Sequence, residues 1–210
     1  MAANGAVGLR SRQKQERREN ILACAKRLFE EQGIETTTMA AIAAELGVST
    51  PTIFNYFGSR DELLLAIILE GHERGVAANR LRPKRNHPRL YDDIAELLSD
   101  FSEYSLKIFS KPVWRYADSA AIRNPESAFV RRYSQIDRVL METIKSVLVE
   151  RPCKTRRAGG FDADMLASVI YNHWNGHYIA LIKDDALSLE EHFSRLLPEI
   201  RELLDLIFDE

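Results

Sequence analysis

The stretch MAAIAAELGVSTPTIFNYFG, Met39 to Gly58, decides the fold. Its spacing predicts two short helices, Thr38 to Leu46 and a second ending at Tyr56, joined by Gly47-Val48-Ser49. Ala43 is small where two helices must cross closely, and Gly47 suits the positive φ of a tight turn. Val48 and Ile53 are the apolar groups expected between the helices. Ser49 or Thr50 is expected to cap the second helix, and Pro51 pre-sets its first turn. That helix offers Thr50, Thr52 and Asn55, short polar side chains of the kind that reach base edges from the major groove.

Upstream, Ile21, Ala25, Leu28 and Phe29 share one helical face, predicting a helix from about Ser11 to Gln32 that stops at Gly33. Ahead of that face lie Arg10, Arg12, Lys14, Arg17 and Arg18 against Glu16 alone. Net charge over the whole chain is −2, so this basic arm is a local signal that the global balance hides.

Downstream, Ser59-Arg60-Asp61-Glu62 has capping-box spacing and opens a long helix. It sets a division into residues 1–58, a basic arm with a helix-turn-helix, and residues 59–210, a helical effector-binding and dimerisation domain. The 210 residues are 45% hydrophobic and 29% charged, which excludes disordered and fibrous classes. Period 3.6 recurs to the end with no sustained alternation of Val, Ile and Thr, so the fold class is all-α. Leu81 to Arg89 and Arg151 to Gly160 read as loops. Helices are expected over Leu90 to Phe109, Val113 to Arg123, and Pro125 to Glu150 with Asn124 as N-cap. Asp162 caps the next helix, and Ser188 to Glu191 repeats the capping box before the last.

These final two helices carry the oligomer signal. Met165 to Ile182 lacks any Asp, Glu, Lys or Arg, yet Asn172, His173, Asn175 and His177 argue against a membrane span. An uncharged helix with two usable faces is buried on both. With the stripe Phe193, Leu196, Leu197, Ile200, Leu203, Leu204, Ile207 and Phe208, it is expected to form a homodimer's four-helix interface. Pro198 predicts a kink or break within that stripe. Two distant cysteines, and no apolar run behind the basic segment, point to a reduced, cytoplasmic setting.

The segment Arg18 to Leu65 resembles the DNA-binding domain of the tetracycline-repressor (TetR) family of bacterial regulators. The likeness rests on Leu28-Phe29, Gly33, Thr38, Ile42-Ala43, Gly47-Val48-Ser49, Ile53 to Phe57 and Arg60 to Leu63. It implies a homodimer on double-stranded operator DNA with two inverted half-sites, and a small-molecule effector that usually releases the DNA. The family commonly has Tyr-x-His-Phe where this chain has Phe54-Asn55-Tyr56-Phe57, so one phosphate-touching hydroxyl is lost and Tyr56 stands at the histidine position. Arg60 replaces the family's Lys with a forked donor, and Thr38 matches its Thr. The DNA-binding candidates are therefore Arg12, Lys14, Thr38, Ser49, Thr50, Thr52, Asn55, Tyr56 and Arg60.

Ligand-binding candidates are the large rings and polar handles of the later helices: Phe101, Tyr104, Trp114, Tyr116, Trp174 and Tyr178, suited to a mostly apolar effector. His173 and His177 stand at i, i+4, which is metal-ligand spacing, but with no matching carboxylate or Cys nearby they are taken as ligand contacts or packing groups, and no metal or cofactor is expected. There is no phosphate loop, nucleophile motif or Glu-x-x-His, so no enzyme is expected. The competing expectation is a small-molecule-binding helical dimer whose DNA-binding domain is vestigial. Operator, effector, regulated genes and the sign of regulation are not legible.

Overall fold

The computed structural model describes residues 3–80, 87–151, 153–156 and 158–209. It is all-α: nine helices occur among the described residues, α1 (Ala3–Gln32), α2 (Met39–Glu45), α3 (Thr50–Tyr56), α4 (Arg60–Arg80), α5 (Leu90–Ile108), α6 (Lys111–Arg123), α7 (Ala128–Glu150), α8 (Ala163–Lys183) and α9 (Leu189–Asp205). They form two compact units, residues 1–71 and 72–210.

In the first unit α1 packs on α2, and α2 on α3. Gly33 ends α1 with φ +84°, and Gly47 turns the chain between α2 and α3 with φ +64°, both left-handed values that favour glycine. Ile42, Ala43 and Ile53 are buried, whereas Val48 is half-buried. Thr37 is fully buried, its hydroxyl donating to the Gly33 carbonyl at 2.8 Å, which pins the link between α1 and α2. Two expectations change here. The basic segment is not a separate arm but part of α1, which begins at Ala3 rather than Ser11. The division between units falls inside α4, at Gly71–His72, because the run Leu63 to Ile68 is buried with the first unit's core residues rather than beginning a new one.

In the second unit α8 is central, packing on α6, α7 and α9, while α5 packs on α7 and α9. Trp174 of α8 donates its indole N–H to Ser102 Oγ of α5 at 2.9 Å. Asp162 caps α8 by accepting from the Asp164 and Met165 amides at 2.9 and 3.0 Å, and Ser188 with Glu191 forms a complete capping box on α9. Buried Asp93 is clasped by Arg151, whose other nitrogen holds the His87 carbonyl; the His87 amide donates back to Asp93 Oδ1 at 3.2 Å.

Three local expectations are corrected. Helix α7 starts at Ala128, capped by the Ser127 hydroxyl accepting from Val130 N at 3.2 Å; Asn124 instead terminates α6, and Pro125 lies in the turn between them. Pro198 does not break α9, because it sits on the exposed face, where the Ser194 carbonyl that it leaves without a donor faces solvent. The apolar stripe outlasts the helix: Phe208 lies beyond α9, in an antiparallel bridge to Thr155 with its ring against Phe161 at 4.9 Å. The loop expected over Leu81 to Arg89 lies, through residue 86, outside the described residues.

Candidate nucleic-acid interface and ligand cavity

The helix-turn-helix is assembled by inward anchors that free the outward groups. Ile53 and Phe57 are buried, which turns Phe54 and Asn55 to solvent and leaves Thr50, Thr52 and Tyr56 half-exposed. Phe54 is 48% exposed, an apolar ring beside the polar recognition residues. Ser49 occupies the N-cap position of α3, yet its hydroxyl makes no cap bond and pairs with Thr52 Oγ1 at 2.8 Å. Thr38 does cap α2, accepting from Ala41 N at 3.0 Å. Glu62 N donates to Ser59 Oγ at 3.1 Å, and the Glu62 carboxylate accepts from Gly58 N at 3.0 Å, one residue earlier than a regular box.

The basic side chains divide by role. Arg18 is committed to Glu70 and lies over the Phe57 ring, 5.3 Å from its centroid, so it braces the unit. Arg60 Nη1 donates to the Glu35 carbonyl at 2.9 Å, which fixes its direction. Arg12, Lys14 and Arg17 are exposed on α1 and form no ion pair among the described residues. Helical spacing sets Lys14 and Arg17 on one face and Arg12 on the opposite one. The Arg10 side chain lies outside the described residues.

The second unit contains a cavity of about 500 Å³. Much of its wall is aromatic: Phe101, Trp114, Tyr133, Tyr171, Trp174 and Tyr178. Trp174 and Tyr178 stack at 5.0 Å, and Trp114 meets Tyr178 edge-on at 6.3 Å. Ile122, 80% exposed, marks the rim. Both indole N–H groups are spent inside the protein, Trp174 on Ser102 and Trp114 on the Ser105 carbonyl at 3.0 Å. Neither indole N–H is therefore left to bond a ligand. Buried Tyr178 Oη makes no close hydrogen bond among the described residues, with the Ser105 side chain beside it.

Two carboxylates share this aromatic space. Asp118 accepts from Tyr133 Oη at 2.9 Å, and Asp137 lies beside the Tyr171 hydroxyl. Burial pushes both carboxyls above their ordinary value, and the tyrosine hydrogen bonds only partly offset it. His72, ringed by Phe101 at 5.1 Å and Trp114 at 5.9 Å, is held by burial down to about 4 and is neutral near pH 7.

A second hollow of about 230 Å³ lies between α4, α5 and α7 and includes Phe101 and Tyr104. A Cβ at Gly75 of α4 would stand 2.5 Å from Tyr104 Cε1, so glycine is what permits this approach of α4 to α5.

Of the ligand candidates, Phe101, Trp114, Trp174 and Tyr178 line the larger cavity, and Tyr104 the smaller. Tyr116 lines neither; it lies under the Arg123 guanidinium at 6.0 Å. His173 and His177 also face away from both, toward α9. There Glu199 Oε2 lies 2.7 Å from His173 Nε2, out of hydrogen-bonding alignment, and 3.1 Å from His177 Nε2, which bonds it. The bond from His177 is the main cause holding the Glu199 carboxyl below its ordinary value. These three side chains could hold a metal ion, each offering one ligand atom within 4.8 Å of the others. The carboxylate comes from another helix, which is why spacing along α8 alone did not reveal it. Asp118, Asp137 and Tyr171 were missed as well, although Trp114/Asp118 and Tyr133/Asp137 each stand at i, i+4 on a shared face.

Fold and site together define a helix-turn-helix DNA-binding protein with a separate, cavity-bearing helical unit. Residues 21–67 match the model for bacterial regulatory proteins of the tetR family. That segment, which holds the helix-turn-helix, is a DNA-binding domain of the TetR family. It is 30% identical over 159 residues to the HTH-type transcriptional regulator HbdR of Aromatoleum sp. (strain CIB); the match takes in 70% of this chain and 60% of that protein's length. It is 25% identical over 177 residues to the nucleoid occlusion factor SlmA of Haemophilus influenzae (strain PittGG), covering 83% and 79% of the two chains. A TetR-family regulator from Rhodococcus sp. superposes with a TM-score of 0.68 at 19% identity over 90% of this chain and 99% of its own, a likeness of fold. No helix among the described residues is long and apolar enough to cross a membrane.

Proposed function

We propose that this chain is a cytoplasmic, homodimeric transcriptional repressor that binds a palindromic operator and is released by a small-molecule effector. One observation carries the reading: a seven-residue helix, α3, anchored by buried Ile53, turns Asn55 outward and leaves Thr50 and Thr52 accessible beside the unpaired cations of α1. Short polar groups on such a helix read base edges, while Lys14, Thr38, Tyr56, Arg60 and one face of α1 hold phosphates.

Dimerisation through α8 and α9 is supported by an uncharged exposed strip on α8. Met165 (60% exposed), Val169 (43%), Asn172, Gly176 and Ala180 fall on one side of the helix, as the second face of an otherwise buried element. Effector control is supported by the aromatic cavity and by α4, a single helix that includes Arg60 at one end and Gly75, against Tyr104, near the other. An effector that displaces Tyr104 or its neighbours alters the seat of α4, and with it the spacing of two recognition helices that must match roughly 34–36 Å along B-DNA.

Selection of bound fragments from random DNA tests this. A single inverted repeat should emerge, Thr52→Ala should change its preference at particular bases, and Arg60→Ala should weaken binding to every sequence alike. A monomer with no preference for any repeat would overturn the proposal. The observation favouring a vestigial DNA domain is Phe54 in the place of a phosphate-touching Tyr; that reading predicts weak, sequence-indifferent binding in the same experiment.

A further inference from the structure

The larger cavity has the chemistry of a cation site. Its wall is rich in aromatic rings and both of its indole donors are already used, so the two tryptophans offer a ligand only their π systems. Among the described residues its two acids have no cationic partner. Arg115, at the cavity's edge, is spent on the Ile182 carbonyl at 2.6 Å and on Asp185 at 2.8 Å, and Lys183 is exposed to solvent. Among the described residues Asp118 is paired with the Tyr133 hydroxyl and Asp137 lies beside that of Tyr171, while the charge of Asp118 disfavours ionisation of Asp137. A pair of neighbouring, half-buried carboxyls lacking a counter-charge is costly to keep in an aromatic hollow. The cost is relieved when a positive ligand enters.

We infer that this cavity binds a small organic cation, a quaternary or substituted ammonium seated over Trp114, Trp174 and Tyr178 and paired with Asp118 and Asp137. The inference rests on the proposed effector role of the cavity but narrows it, replacing a mostly apolar effector by one of defined charge. Cation–π contact supplies affinity from the rings, and desolvation strengthens the pairing with the acids. Burial has already raised both carboxyls, as expected of acids that lack a counter-charge. Tyr178 Oη, buried and without a close hydrogen bond among the described residues, is left to a polar substituent of the ligand.

The test is calorimetric titration of the full chain, without DNA, with benzyltrimethylammonium and tetraethylammonium, with neopentylbenzene as the neutral carbon isostere of the first, and with 4-phenylbutyrate as an anion. The cations should bind at least about tenfold more tightly than the isostere, and the anion not at all. Asp118→Asn and Asp137→Asn keep an acceptor for Tyr133 and Tyr171, so a merely structural acid would tolerate them. Each should weaken the cations by about tenfold or more while leaving the isostere unchanged. Equal binding of isostere and cation, preference for the anion, Asn variants that bind the cation like the parent, or a parent that binds neither cation would each overturn the inference. Comparing cation and isostere on the parent chain keeps the test valid if an Asn variant fails to fold. Operator selection run on the ligand-free protein separates the two failures: DNA binding without cation binding sinks only this inference, and cation binding without DNA binding sinks only the regulator.

Discussion

The most discriminating consequence of the α1 geometry is electrostatic. Lys14 and Arg17 are exposed, free of ion pairs among the described residues, and on the same helical face, with Arg12 directed to the other side. If both touch phosphate in each copy of a dimer, they release about four condensed counterions. Each contributes about 0.9 to the slope of log affinity against log salt. The Lys14→Ala/Arg17→Ala double variant should therefore bind its operator with a slope shallower by about 3.6. Raising salt from 50 to 200 mM should then cost the parent on the order of 10²-fold more affinity than it costs the variant. Arg12→Ala, on the opposite face, should change the slope far less. Fluorescence anisotropy with a labelled operator at four salt concentrations reads the slopes directly. Parallel lines for parent and double variant, or a larger effect from Arg12 than from the pair, would refute the assignment of that face to the DNA backbone.

Two further outcomes follow from the second unit. Arg151→Ala leaves Asp93 buried with, among the described residues, the His87 amide alone, and loss of one partner of a buried pair typically costs about 3–5 kcal/mol, so chemical denaturation should show a shift of that order; a change under about 1 kcal/mol would mean that water replaces the guanidinium freely. His72 takes up a proton only near pH 4 when folded but near 6.5 when unfolded, so the unfolded chain holds more protons between those values and stability falls as pH drops through that window. The fall in melting temperature from pH 7 to pH 5 should be smaller by about 3 °C or more in His72→Phe, and an identical fall would contradict the buried, neutral imidazole.

What could be read in advance was what local chemistry determines. Gly33, Gly47, Ser188 and Asp162 end or begin helices through their own backbone and side-chain bonds, so those boundaries were legible. Where two local solutions compete, sequence does not choose between them: Asn124-Pro125 and Ser127 are both acceptable helix starts, and the hydroxyl bond to Val130 N decides for the second. The capping box at Ser59 marks a helix start and not a unit boundary, because the boundary depends on which core buries Leu63 to Ile68. The rings of the cavity were visible as a class. Which of them face it depends on how α6, α7 and α8 meet, and the acids among them resemble ordinary solvated residues until burial is known. Glu199 is the same kind of case, since its meeting with His173 and His177 joins two helices.

Gly71 and Gly75 stand one turn apart in α4, at and just past the point where the two units divide. Each disfavours helix by about 1 kcal/mol relative to alanine. The connecting helix is therefore intrinsically weakest where it passes from one unit to the other. A protein that must let one compartment's contents be felt in another gains from such a soft joint: bending it sacrifices little that the backbone would have supplied unaided.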